Sequence, residues 1–484
     1  MHMRWVIALI LVLAASPALA ENVEIGDFTY AGAFRLPSGF NWGARGSTYR
    51  PGGDGGRGSL IVLGADQVVG EWAEVAIPSP GMGGFGSLPE ARQLTGFVEF
   101  DGNLMENETN RDETRAGDVT CIPPRGSQTS EKCYWNAEWW YNVAGDDYAA
   151  VGMSEADGSN PRGMWHVGRS GDPVFHGSRH GAYMFAAPPW FADWYLGGRS
   201  LIVGMTREAG CCGSSQGPTL FAFRPWDVDD PPSRADLDAL ALVYYPMVYP
   251  GCAGPNVGDP AECYYPDYRA CDAWMGGAFV ESGLRSAVAI SGIKAYGDNG
   301  YSDWGPCSPW HGYHCEPLEA QIVFYSTDDL AASAAGRRRP EEVVPYQIWR
   351  PDEFMDTDCP AVGGLAFDRD GGRFFVIEKG YGDDNYAVVH VYEVEPAAEH
   401  PAPDGDADVD VDADTDMDTD TDVDSDVDTD VDSDSDSDAD QPTDTGGDAD
   451  AGDGGHPVGG SLGRCDCSAA APRHAAASLS RLVP

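Results

Sequence analysis

From residue 21 to 396 the chain alternates short apolar runs with clusters of Gly, Pro and Asp, a pattern of strands and turns. Four segments align with one another. In each, a small-residue stretch leads through a tight turn into an apolar strand: Tyr49-Arg50 into Ser59-Leu60-Ile61-Val62-Leu63, His180-Gly181-Ala182-Tyr183 into Ser200-Leu201-Ile202-Val203, Gly276-Gly277-Ala278-Phe279 into Ser286-Ala287-Val288-Ala289-Ile290, and Gly363-Gly364-Leu365 into Phe374-Phe375-Val376-Ile377. Asp370-Gly371-Gly372 is a hairpin turn by composition. Two further strands follow each of the middle copies, Leu220-Phe221-Ala222-Phe223 with Leu242-Val243-Tyr244 and Ile322-Val323-Phe324-Tyr325 with Tyr346-Gln347-Ile348-Trp349.

Four antiparallel strands per repeat are the blade of a β-propeller. The first interval is nearly twice the others, and a degenerate copy fits in it at 132–143, where Tyr134-Trp135 and Trp139-Trp140-Tyr141 read as strand. The expected fold is therefore all-β, a five-bladed β-propeller, with six blades or a β-sandwich as alternatives. The fifth blade lacks a strand within its own repeat, and Phe28-Thr29-Tyr30-Ala31-Gly32-Ala33-Phe34 is the segment that would close the ring as its outer strand.

The ends of the chain read differently. Residues 1–20 run from a basic start through an apolar stretch to Ala18-Leu19-Ala20, the pattern of a secretory signal peptide cut after Ala20. Asp occupies every second position from Asp404 to Asp440, so 397–458 is expected to be a disordered acidic linker, a stalk of low complexity. Residues 401–463 hold 23 Asp and no Lys or Arg; the 78 acidic residues less these 23 leave 55 against 30 basic ones. The remainder is still acidic, which argues against nucleic acid as a partner. No cofactor is expected. Ca2+ is the one ion the carboxylate array could take up, yet the tract lacks the glycine turn and fixed-spacing acid of a calcium loop, so diffuse counterion uptake is the default.

Ten cysteines lie between Cys121 and Cys359, and an even count in an exported chain reads as disulfides. Cys121 with Cys133 and Cys307 with Cys315 would each close a short loop. One pair is expected among Cys252, Cys263 and Cys271. Adjacent Cys211 and Cys212 form either a vicinal bond or two bonds to different loops, and Cys359 is unassigned. No Cys pair stands near a His pair at zinc spacing, so no metal is expected.

In a propeller the loops between second and third strands of every blade open on one face around the central channel. The repeat puts Asp66, the 142–147 segment with Asn142, Arg207, Lys294 and Lys379 at equivalent positions there, and Lys294 and Lys379 are two of only three lysines in the chain. The alternative is that these residues pair with neighbouring acids and hold loops. The longest such loop, 295–319, carries Trp304 and Trp310-His311-Gly312-Tyr313-His314-Cys315-Glu316. Aromatic faces beside His and carboxylate suit sugar binding, so Trp140, Trp310 and His314 join the binding candidates; plugging the channel is the bland reading. His166, His176 and His180 read as structural. For catalysis the carboxylates to test are Glu281, Glu316 and Asp147, although the inner strands show no obvious acid pair of the kind glycosidases use. Neither G-x-S-x-G nor H-E-x-x-H occurs.

Two resemblances add to this. Gly217-Pro218-Thr219-Leu220-Phe221-Ala222-Phe223, Gly312-Tyr313-His314-Cys315-Glu316-Pro317 and Gly363-Gly364-Leu365 are similar to segments of uncharacterised secreted propeller-like proteins of environmental bacteria. That resemblance implies a fold and no activity. Gly459-Gly460-Ser461-Leu462-Gly463-Arg464-Cys465-Asp466-Cys467 resembles the Cys-containing start of myxobacterial surface-sorting tails, which implies cell-envelope attachment through 459–484; the apolar helix and terminal Arg cluster of such tails are missing here. Together these readings lead to a secreted or cell-surface binding protein for carbohydrate or another extracellular polymer. A glycan-active hydrolase or lyase and a structural or adhesion protein are the alternatives.

Overall fold

The structure is a computed structural model. It describes residues 21–401 except 66–69, 109–113, 141, 143, 206–213, 226–230, 247–264, 266, 270, 298–299, 303–306, 308–311, 355–357 and 383. The expected signal segment, the expected sorting-like tail and most of the expected linker thus lie outside the described residues.

Short strands with buried faces and glycine-rich turns assemble into five four-stranded antiparallel blades. A first strand, β1 (Thr29–Arg35), precedes blade 1, which holds β2 (Ser47–Arg50), β3 (Ser59–Leu63), β4 (Glu71–Ala76) and β5 (Val98–Glu99). Blade 2 holds β6 (Thr114–Ile122), β7 (Lys132–Trp139), β8 (Val151–Ser154) and β9 (Arg162–Val167). Blade 3 is built from β10 (Tyr183–Ala186), β11 (Leu201–Gly204), β12 (Leu220–Phe223) and β14 (Ala239–Val243), while β13 (Asp236–Leu237) runs parallel to β9 at the edge of blade 2. Blade 4 contains β15 (Ala273–Ser282), β16 (Arg285–Ala295), β19 (Leu318–Ser326) and β20 (Gln347–Trp349), with a small hairpin of β17 (Gly300–Ser302) and β18 (Gly312–His314) above it. Blade 5 combines β21 (Val362–Asp368), β22 (Arg373–Tyr381) and β23 (Tyr386–Glu393) with β1, which pairs from Thr29 opposite Glu393 to Arg35 opposite Val388. The amino-terminal strand closes the ring, as the repeat count requires.

The degenerate second copy differs from the sequence reading. Lys132–Trp139 is one strand rather than two, and it is the second strand of its blade; Thr114–Ile122 is the inner one. Thr-Arg-Ala-Gly-Asp-Val-Thr-Cys-Ile carries too many polar residues to register as a buried strand, because its polar groups are satisfied across blade boundaries rather than by solvent.

Among the described residues the core is five interblade clusters, one at each junction, and a small sixth of Ala33, Leu88 and Val388. Blades 1 and 2 meet through Ile61, Trp72, Phe100, Val119 and Trp135; blades 2 and 3 through Tyr134, Trp165, Met184, Leu201 and Phe221. Blades 3 and 4 share Tyr183, Phe191, Phe279, Ile290 and Tyr325, blades 4 and 5 share Val280, Ala289, Phe324, Phe374 and Tyr392, and blades 5 and 1 share Phe34, Leu60, Val62, Phe375 and Val389. Each large buried apolar side chain contributes about 1.5–3 kcal/mol.

Nearer the axis the inner strands approach too closely for side chains. A Cβ on Gly117 would stand 2.0 Å from the Gly181 carbonyl oxygen, and one on Gly363 would stand 2.3 Å from that of Ala44. The small residues read in the repeats are therefore the condition for closing a tight ring.

Three disulfides are present among the described residues. Cys121–Cys133 bridges β6 and β7 as expected. The expected Cys307–Cys315 bond is not formed; Cys315 pairs with Cys271 and Cys307 with Cys359. Proximity along the chain misled, because β15 begins beside the end of the 295–319 loop and brings Cys271 to Cys315. Cys271 therefore has no partner in its own insertion, while Cys211, Cys212, Cys252 and Cys263 lie outside the described residues. Disulfides of this kind belong to an oxidising compartment. Among the described residues no helix is long and apolar enough to cross a membrane.

Candidate functional site

Inner strands begin, and second strands end, on what we call the upper face. Its centre is occupied by Arg45, which precedes β2 and is almost fully buried. The Arg45 guanidinium donates to Glu138 near the end of β7 and approaches the Met275 sulfur at 3.8 Å. Blades 1 and 4 are not neighbours in a ring of five, so this side chain reaches across the axis and fills the channel mouth. Ligand contacts on this face must form above it. Neither Arg45 nor Glu138 stood out in the sequence; the only cue was an arginine in the small-residue run Gly43-Ala44-Arg45-Gly46-Ser47.

Three exposed aromatic side chains lie on the same face. Trp140 follows β7, is 38% exposed, and has the Arg115 guanidinium 4.9 Å from its ring centroid. Such a cation over one face steadies the ring. Tyr296 follows β16 and is 45% exposed; its hydroxyl donates to Glu319 at 2.7 Å and accepts from Gln321 at 2.8 Å. Trp42 lies before β2, is 50% exposed, and holds a left-handed backbone at φ 62°. Its N–H donates to the carbonyl of Asn385, itself left-handed at φ 51°, in the β22–β23 loop. The other large exposed hydrophobic side chains among the described residues, Met82, Leu284, Val344 and Ile348, are aliphatic and sit on the lower hairpins or the outer flank.

The residues expected at the mouth have varied fates. Lys294, the penultimate residue of β16, pairs with Asp272 at 2.6 Å, while Asp272 also accepts the Ala295 and Arg269 amides. Burial raises the Asp272 carboxyl, and the bonds from Lys294 and the two amides only partly offset this. The pair braces the base of the long loop beside Cys271–Cys315. Asn142 is buried and exchanges two hydrogen bonds with the Asp146 backbone, which makes it a loop organiser. Lys379 lies within β22, and its N–H donates to the Ala361 carbonyl. His314 is partly buried at the end of β18 with Nδ1 3.9 Å from Glu316 Oε1. Asp66, Arg207, Trp304 and Trp310 lie outside the described residues.

The three carboxylates proposed for catalysis do not converge. Glu316 accepts the Cys307 amide at 3.3 Å. Asp147 accepts the Gly171 and Gly177 amides at 2.8 and 2.9 Å, fixing the loops around His166 and His176. Glu281 sits near the end of β15, opposite Ser286, at the far side of blade 4 from Lys294, which pairs with Glu319. It belongs to the lower face. Among the described residues no group of His, Cys, Asp and Glu could hold a metal ion.

No protein-family model and no curated protein matches this sequence. Among solved structures, one described as the structure of the Dos1 propeller is similar at 7% identity and a TM-score of 0.26, covering 71% of this chain and 67% of that one.

Proposed function

We propose that the protein is a secreted, non-catalytic binding propeller that captures a carbohydrate or related extracellular polymer on its upper face. The observation that carries this reading is the segregation of Trp42, Trp140 and Tyr296 to that face while the exposed aliphatics lie elsewhere. Flat aromatic rings stack on the C–H faces of sugars, and each of these three is held by a neighbour: Arg115 over Trp140, Asn385 against Trp42, Glu319 and Gln321 against Tyr296. A left-handed tryptophan costs roughly 1–2 kcal/mol, and strain of that kind collects at binding sites. Two-carboxylate glycoside hydrolysis needs its acids about 5–10 Å apart across one sugar. Glu281 and Glu316 lie at opposite ends of blade 4, and Asp147 is engaged by backbone amides, which supports capture over cleavage.

The test passes the purified full chain over immobilised polysaccharides and measures both retention and released sugar. Trp42→Ala combined with Trp140→Ala is expected to weaken retention at least about tenfold, since two aromatic contacts are lost, while the melting temperature stays near that of the parent. Undiminished retention by the double variant, or sugar release that vanishes in Glu316→Gln, would overturn the reading.

A further inference from the structure

The lower face carries a second arrangement, on which ligand capture above makes no demand. After β23 the chain turns beneath the ring, past the boundary expected at residue 396. The Val394 N–H donates to the Gly372 carbonyl at 2.8 Å, Ala397 N–H to that of Arg369 at 3.1 Å, and Ala398 N–H to that of Gly283 at 2.8 Å. The strap thus spans the lower hairpins of blades 5 and 4. It ends on His400, whose ring stacks on Trp190 with centroids 3.8 Å apart and planes 17° from parallel. Trp190 belongs to the short helix Pro189–Tyr195 in the lower connection of blade 3. Three blades therefore meet at one side chain of the strap.

Glu281 lies beneath this stack. It is 2% exposed, and His400 Nε2 stands 3.3 Å from its Oε1. Trp190 Nε1 donates to the same oxygen at 2.9 Å, Arg369 Nε donates to Oε2 at 2.6 Å, and Arg369 Nη2 also reaches the Ala398 carbonyl at 3.4 Å. Burial by itself would raise the Glu281 carboxyl, but the neighbouring His400, Arg369 and Trp190 outweigh it and hold the group below its ordinary range. The slot has an aromatic wall, an ionised floor and a guanidinium rim. Its shape and charge fit a flat, nitrogen-bearing cation. Trp190 Nε1 and Arg369 Nε bond Glu281 directly, so two of the three groups that face the carboxylate remain when the His400 ring is removed.

We propose that Trp190, Glu281 and Arg369 form a receptor for an imidazole-type ring on the lower face, filled in cis by His400. This contact fastens the end of the propeller chain beneath blades 3, 4 and 5, so the chain leaves the ring from the face opposite Trp42, Trp140 and Tyr296. Glu281, a catalytic candidate by sequence, is on this assignment a strap anchor.

The experiment uses the full chain and its His400→Ala variant, with free imidazole as the probe at about pH 6, where imidazole is largely protonated. Hydrogen exchange at the Ala397 and Ala398 amides is expected to rise about tenfold or more in His400→Ala as the strap loosens. Imidazole should raise the melting temperature of His400→Ala saturably, by mass action on the vacated slot, and leave the parent unmoved because its slot is full. Adding Trp190→Leu to His400→Ala should remove the imidazole response; this variant keeps the Glu281 and Arg369 pair and so guards against a folding defect. Unchanged exchange at Ala397 and Ala398, or an imidazole effect equal in parent and variants, would overturn the assignment.

Discussion

Asp118 Oδ1 accepts the Ser47 amide at 2.8 Å while Oδ2 accepts the Met184 amide at 3.0 Å, so one side chain on β6 ties together the inner strands of blades 1, 2 and 3. Asn136 extends the link: it accepts the Asp118 amide at 2.7 Å and donates to the His180 and Tyr183 carbonyls. Burial pushes the Asp118 carboxyl well up, against the pull of the backbone donors and Arg45. Replacing it with Ala strands buried N–H groups, each costing about 1–3 kcal/mol. Asp118→Ala is expected to lower urea-unfolding stability by about 3 kcal/mol or more, and Asp118→Asn by less, since one acceptor oxygen survives. Equal stability of Asp118→Ala and the parent would contradict the three-blade tie.

Ring closure by β1 makes a separate prediction. Phe34 is fully buried at the junction of blades 5 and 1, and Tyr30 bonds His390 in β23 at 3.2 Å. Deleting residues 21–36 should abolish the cooperative thermal transition followed by circular dichroism, because it removes an outer strand and opens a junction. Phe34→Ala should cost about 3–5 kcal/mol.

Acid should weaken the junction of blades 2 and 3. Burial holds the His180 imidazole well below its ordinary value, with Arg179, His176 and His166 adding to the effect, and burial also depresses His176. Both imidazoles bind protons less readily in the folded protein than in the unfolded chain, so their contribution is complete above about pH 6.5 and is lost progressively as pH falls below it toward their lowered folded values. The slope from each is at most about 1.4 kcal/mol per pH unit. Asp118 and Asp272, whose folded values are raised, take up protons in the folded state and oppose this at lower pH. Urea midpoints at pH 7.5 and 5.5 should therefore differ, and the difference should shrink in His180→Gln; a pH-independent midpoint across that interval would refute the mechanism.

Trp42 offers a trade between stability and capture. Glycine adopts the left-handed backbone of φ 62° without strain. Trp42→Gly should melt no lower than the parent while losing polymer retention, and a clear drop in melting temperature would mean that Trp42 is a packing residue.

The disulfide pairing is open to direct chemistry. Non-reducing digestion should yield peptides joining Cys271 to Cys315 and Cys307 to Cys359, and none joining Cys307 to Cys315. The two loops close 44 and 52 residues. Removing either bond should cost about 2–4 kcal/mol through the entropy returned to the unfolded chain.

Sequence alone carried the repeating unit and pointed to five blades, with six blades or a sandwich still open, and to the strand that closes the ring. Those features rest on short apolar runs bounded by turn residues, both local properties: Ser59–Leu63 is buried along its whole length, and Asp370-Gly371-Gly372 is a hairpin turn by composition. Cys121–Cys133 was legible for the same reason, since it joins facing residues of one hairpin. Tertiary structure alone decided the rest. Arg45 plugs the channel because blades far apart in sequence converge on the axis, and Cys315 chose Cys271 because two loops meet above blade 4. Position within a repeat put Lys294 near the mouth but could not reveal that Asp272 would engage it, and it could not reveal that Glu281 would point to the opposite face and meet His400. Strand pattern is written in neighbouring residues, whereas the partners of a charged side chain are set by whichever distant segments the closed ring brings within a few ångströms.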